Sequence, residues 1–245
     1  MSIRSPAFIY VAIIGVALAG ASSAPPADSL LDRIMRVLGI SATPSQMKGD
    51  SDISAGQVWI VDLERGTRTA VTADSGYRWP VFEPAGGTII ALKGDSLVRI
   101  VARNGRVKVL YSIPGVEKLV GFDRDDPDKL LVTLDSQTAP LALLSLETGH
   151  PTLLPYDPTS KGHRRMLSHI KGEERVYGNA RVYVKTESKQ GMEGGLEWAE
   201  VYLQQDESAP RNVSRGDGVN CGQPSLSPDG KAVVYVRASS AASPD

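Results

Sequence analysis

Cysteine is nearly absent: the 245 residues hold one, Cys221. No disulfide can therefore form within the chain. A lone thiol beside Gly222, with no basic neighbourhood and no histidine partner nearby in sequence, reads as a small buried hydrophobe rather than a nucleophile. Histidine is scarce too. His150, His163 and His169 include no pair at helical four-residue spacing, and no cysteine pair accompanies them, which removes the common zinc patterns. His163 sits in Gly162-His163-Arg164-Arg165, which reads as a solvated loop, and His169 in an apolar run that reads as a strand. Charge of one sign is missing as well. A formal net charge of -1 offers no electrostatic case for nucleic acid, whose binding rests on clustered Lys and Arg. There is no Gly-x-Ser-x-Gly elbow and no glycine loop of phosphate-cradling spacing. No catalytic residue, metal or cofactor is expected.

Long hydrophobic runs are absent apart from residues 7–19, which at thirteen residues fall short of a comfortable membrane span. Arg4 ahead of this run and Ala19-Gly20-Ala21 behind it make a secretory signal, with Ser22 as the expected first mature residue. Leu18-Ala19-Gly20 is followed by Ala21 rather than cysteine, so no thiol is available for a lipid anchor. An uncleaved anchor is the competing reading. The expected organisation is a signal peptide at 1–21, a short helix and linker at 22–56, the folded domain at 57–238 and a tail at 239–245. Within the linker, Leu30, Leu31, Ile34, Val37 and Leu38 share one face of a helix over 29–39.

What the chain has is turns and strands. Gly222-Gln223-Pro224-Ser225-Leu226-Ser227-Pro228-Asp229-Gly230-Lys231 leads into the β-branched run at 232–237. Proline presets φ, aspartate bonds back to its own backbone, and glycine accepts φ > 0. Trp79-Pro80-Val81-Phe82-Glu83-Pro84-Ala85-Gly86 followed by Thr88-Ile89-Ile90 aligns with it without a gap. Pro80 matches Pro224, Pro84 matches Pro228 and Gly86 matches Gly230. A second kind of hairpin alternates with this one, at 58–72, 97–111, 141–154 and 198–214; Asn104-Gly105 is its strongest turn signal. Further copies of the first kind are read at 118–134 and at 166–186. In the latter, residues 166–170 form the first strand and 180–186 the second, followed by a glycine-rich connection from Glu187 to Gly195.

Alternating hairpins of this kind predict an all-β propeller of about four four-stranded blades, preceded by the short N-terminal helix. Pro80 and Pro224 lie 144 residues apart, or three steps of 48. The chain opens on an outer half-blade and closes on an inner one. Pairing residues 232–237 with 58–63 would make one blade from both ends and add about five backbone hydrogen bonds at about 1 kcal/mol net each.

The Pro-x-Leu-Ser-Pro-Asp-Gly-Lys pattern at Pro224 and the strand Val58-Trp59-Ile60-Val61-Asp62-Leu63 resemble the TolB-type, WD40-like propeller repeat. Trp198-Ala199-Glu200-Val201-Tyr202-Leu203 and Arg211-Asn212-Val213-Ser214 resemble its outer hairpin. The resemblance spans about 57–237. It implies an exported propeller that serves as a protein-binding platform, a family that also includes gating domains ahead of serine peptidases. Two departures stand out: such propellers usually have six blades, and TolB carries an α/β domain ahead of its propeller.

Two functional readings follow. The first is a non-catalytic binding platform in the cell envelope, periplasmic or secreted, monomeric, with an envelope or secreted protein or peptide as partner. The second is a small propeller enzyme or ligand binder with its site in the central channel. Loops entering each innermost strand line one mouth of that channel. They place Tyr77, Arg78, Trp79, Lys118, Arg164, Arg165, Asn220 and Gln223 as candidate binding residues, with Trp79 also suited to pack between blades. The acidic run Asp123, Asp125, Asp126, Asp128 lacks the glycine and glutamate of a calcium loop and reads as a solvated turn. Asn212-Val213-Ser214 is a glycosylation sequon only in a eukaryotic secretory route.

Overall fold

Four antiparallel four-stranded sheets stand around a common axis in the computed structural model, which describes residues 51, 53–123, 126–189 and 196–238. The signal segment expected at 1–21 and the helix expected at 29–39 lie outside the described residues. The first blade runs outward through β3 (Tyr77–Phe82), β4 (Thr88–Lys93), β5 (Ser96–Val101) and β6 (Val107–Ser112). The second comprises β7 (Val116–Phe122), β8 (Lys129–Leu134), β9 (Leu141–Ser145) and β10 (Pro151–Leu153). The third comprises β11 (Arg175–Tyr177), β12 (Ala180–Lys189), β13 (Leu196–Gln205) and β14 (Arg211–Asn212). The fourth is shared between the two ends of the propeller, as β15 (Cys221–Leu226), β16 (Ala232–Arg237), β1 (Gln57–Asp62) and β2 (Arg68–Ala70), in that order.

The ring closes as the half-blade pattern predicts. β1 and β16 are antiparallel, with Gln57 opposite Arg237 and Asp62 opposite Ala232, and Leu63 N donates to Lys231 O at 2.8 Å. Val58, Val233, Val234 and Val236 are wholly buried along this seam. Local chemistry sets the turns. Asp229 Oδ1 accepts from Ser227 Oγ at 2.6 Å and Lys231 N at 3.1 Å, and Gly230 sits at φ +72.

Apolar side chains fill the spaces between blades. Tyr77, Ile89 and Val98 of the first blade pack with Val58 and Val234 of the closing blade. Val182 and Val201 of the third meet Val233 and Tyr235. Leu92 and Leu97 of the first meet Leu119 and Leu130 of the second. On its other face the second blade packs against a helix: Val120, Leu131 and Leu141 cluster with Met166 and Ile170 of α1 (Lys161–Lys171).

That helix corrects the strand expected at residues 166–170. Ser160 caps it, its side chain accepting from His163 N, and His163, Met166 and Ile170 form a buried stripe at helical spacing. His169 accordingly lies on the helix and not in a strand. His163 is buried rather than solvated, and its Nδ1 accepts from Asp157 N at 2.9 Å. The inner strand falls later, at β11, and turns through Gly178 (φ +61) and Asn179 into β12. The strands of the third blade also run further than expected: β12 extends to Lys189, into the glycine-rich connection expected at 187–195, and β13 begins at Leu196. Pairing of β12 with β13 continues to Lys189 opposite Leu196, steadied by Lys185 Nζ and Tyr202 Oη on Glu187 Oε1. Most of that glycine-rich segment, residues 190–195, lies outside the described residues.

Candidate functional site

The innermost strands β3, β7, β11 and β15 each bring one side chain to the axis: Trp79, Lys118, Arg175 and Gln223. Trp79 and Gln223 occupy equivalent repeat positions, and both hold left-handed backbone, φ 50 and φ 55. Each sits where the register of its inner hairpin shifts, between Arg78 and Val81 and between Gly222 and Ser225. The bulges re-aim these two residues toward each other, and Gln223 Oε1 accepts from Trp79 N at 2.7 Å. Lys118 Nζ stands 3.9 Å from the Trp79 ring centroid, with Arg175 Cζ at 6.0 Å. Lys118 Nζ also donates to Lys171 O at 3.0 Å and Gly172 O at 2.6 Å, neutralising carbonyls at the end of α1.

On the side where the innermost strands begin, this hub is covered. Glu173 Oε1 accepts from Ser51 N and Ser51 Oγ, and Glu173 Oε2 accepts from Gln223 N at 2.6 Å. Gln223 Nε2 donates to Ile53 O at 2.7 Å. The chain before β1 is thus packed into the mouth where binding was expected. Close approach depends on Gly222, where a Cβ would lie 2.2 Å from Ser51 Oγ and 2.7 Å from Glu173 Oε2.

The opposite side, where those strands end, is open. A cavity of about 730 Å³ is lined by the ends of all four innermost strands and their inner turns. Its walls are apolar at Val81, Phe82, Val120 and Leu226, and polar at Asp123, Arg175, Tyr177 and Ser225. Tyr177 Oη and Ser225 Oγ lie 3.0 Å apart and share a hydrogen bond. Gly121 also borders the cavity, and a Cβ there would meet nothing within 4 Å.

The structure therefore sorts the eight sequence candidates. Trp79, Lys118 and Gln223 meet in the hub, with Lys118 and Gln223 buried. Tyr77 is buried, its hydroxyl donating to Asp74 Oδ1 at 3.0 Å, and burial raises its pKa. Arg78 Nη2 donates to Gly94 O at 3.0 Å, away from the axis. Asn220 Oδ1 accepts from Ala199 N at 2.7 Å and ties the third blade to the fourth. Arg164 and Arg165 are exposed on α1, and Arg164 Nη1 donates to Pro158 O and Thr159 O. Sequence reading missed Ser51, Glu173 and Arg175. A β11 of only three residues shows no alternation, and the helix before it displaced the repeat register.

Chemistry elsewhere is quiet. Cys221 is wholly buried; desolvation first, then nearby Glu200, pushes its thiol up to about 12, where it is no nucleophile at neutral pH. Glu200 is buried and accepts from Trp198 Nε1 at 2.7 Å, from Gly216 N at 2.8 Å and from Ser214 Oγ. No group of three or more His, Cys, Asp or Glu is placed to hold a metal among the described residues. No helix among them is long and apolar enough to cross a membrane.

No protein-family model matches the chain, and no curated protein does. Among solved structures it is similar to a chain described as a TolB of Agrobacterium tumefaciens, at 13% identity and a TM-score of 0.33, over 72% of this chain. The aligned part spans 60% of that protein's length. The propeller assignment rests on the four sheets and their closure.

Proposed function

We propose that this chain is an exported, non-catalytic β-propeller of the TolB-like kind. It receives a peptide segment of an envelope or secreted partner at the open end of its central channel. The observation that carries this reading is the cavity: about 730 Å³, walled by all four blades, with Arg175 of the hub on its border. That volume suits a short extended segment, and apolar walls with a few polar groups are the usual make-up of a recognition pocket. Trp79, Lys118 and Gln223 serve here to hold the hub together rather than as rim contacts. Arg78, with Arg164 and Arg165 exposed on α1, would offer a second contact surface for a folded partner. Arg4, the apolar run at 7–19 and Ala19-Gly20-Ala21 support export, to a periplasm or beyond, and the closed seam supports a monomer.

The test is selection from a random peptide display library with immobilised mature protein, compared with a cavity-filled Gly121→Phe variant. The benzyl group would enter open space, so the fold should survive. Peptides retained by the wild type and lost on Gly121→Phe are the expected result. Equal retention by both proteins would place binding elsewhere, and retention by neither would remove the peptide-binding reading. The cavity's volume would also admit a small ligand, and this second reading would gain if a drug-sized compound, but no peptide, were displaced by Gly121→Phe.

A further inference from the structure

Arg175 is the first residue of the shortest innermost strand, 7% exposed, and it borders the cavity. Its Nη1 donates to Gly172 O at 2.9 Å and Glu174 O at 2.8 Å. These two carbonyls fix the guanidinium plane and leave its other nitrogens without a hydrogen bond among the described residues. No carboxylate pairs with it among those residues either. Glu173, the neighbour in sequence, spends both oxygens on Ser51 and on Gln223 N. Glu174 lies 3.6 Å from Arg181 instead. Burial lowers the pKa of Arg175, yet a guanidinium keeps its proton in proteins. Glu173 nearby favours its charged form, but no carboxylate stands within ion-pair distance of it among the described residues, and a buried cation with donors to spare gains when an anion arrives. A planar fork is also the group best shaped to receive a carboxylate through two parallel bonds.

We infer that Arg175 is the anchor of this cavity and takes a carboxylate carried by the bound peptide, supplied by its C-terminus or by an Asp or Glu side chain. The inference rests on the peptide-binding reading above and names the chemistry of that site. The surroundings favour a peptide over a simple organic acid, because a peptide carries a side chain beside its carboxylate. Phe82, Val120 and Leu226 supply apolar walls for the flanking side chain. Lys118 is committed to the end of α1, which leaves Arg175 as the cation that borders the open space.

The experiment uses the full mature chain and two matched peptide sets, recovered from the library and resynthesised. One set compares a free C-terminus with its amide. The other compares each Asp or Glu with Asn or Gln. Affinity should fall about tenfold or more when the anchoring carboxylate is neutralised, as expected for a charge-assisted bond. Whichever set shows the loss identifies the carboxylate's source. Arg175→Met should abolish that discrimination while still binding the amide form. Because Arg175 also holds Gly172 and Glu174, the variant's fold is checked by circular dichroism, and the wild-type peptide comparison decides the matter if the variant does not fold. Tight binding with no preference for a carboxylate in either set would overturn the role of Arg175 and leave peptide binding standing. Retention of no peptide would overturn both.

Discussion

Gln223 Oε1 accepts the backbone N–H of Trp79 at 2.7 Å, joining two residues 144 positions apart that share an unusual left-handed backbone. The same side chain reaches Ile53 O through Nε2. One buried amide thereby fastens the first blade, the fourth blade and the segment before β1. Replacing it by Gln223→Leu keeps the volume but strands two backbone groups. A loss of about 2–4 kcal/mol is expected, from about 1–2 kcal/mol for each group left unpaired. Urea unfolding followed by tryptophan fluorescence measures it.

Gly222 is the next test of that junction. A methyl group there would overlap Ser51 Oγ and Glu173 Oε2. Gly222→Ala should displace the segment before β1 and cost about 1–3 kcal/mol. Hydrogen exchange should show faster exchange at Ser51 N, whose acceptor is Glu173 Oε1. Unchanged exchange at Ser51 would mean that the segment is not held as described.

Closure of the ring depends on β16, which pairs with β15 on one side and β1 on the other. Val234 lies opposite both Ile60 and Ser225. Val234→Pro removes a ladder donor from a central strand and should cost about 3 kcal/mol or more. The expected outcome is loss of the cooperative melt and of the wild-type elution position in size-exclusion chromatography. A variant that melts like the wild type would contradict the seam.

Cys221 makes a pH prediction. Burial first, and then Glu200, push its thiol up to about 12 in the folded chain, well above an ordinary thiol. The folded protein keeps the proton in that window while the unfolded chain releases it, so this contribution to stability is complete below pH 9 and falls away as pH rises toward 12. Cys221→Ala should flatten the fall in stability between pH 9 and 11. In the native protein at pH 8, iodoacetamide should label Cys221 only after denaturant is added.

Much of the propeller was legible because its signals are local. Pro228-Asp229-Gly230 and Asn104-Gly105 specify their turns through backbone preferences of a few residues, whatever surrounds them. The closing seam was legible because two complementary half-blades stood at opposite ends of the pattern. The fourth inner hairpin was not. Met166-Leu167-Ser168-His169-Ile170 fits both a period of two and a helical stripe, and only the Ser160 cap and the apolar face of the second blade decide for the helix. Trp79, Lys118 and Gln223 could be placed near the axis by repeat alignment. That they meet in one hub, and that one mouth is filled by Ser51 and Ile53, could not.

Strand order and turn positions in three of the four blades, and the end-to-end pairing, thus belong to the sequence alone, since each follows from short-range periodicity and turn chemistry repeated along the chain. The central hub, the covered mouth and the unpaired Arg175 beside the open cavity belong to the tertiary structure. They join residues up to 170 positions apart, as between Ile53 and Gln223, and no local preference encodes which of four converging strands will set a cation on the border of the cavity.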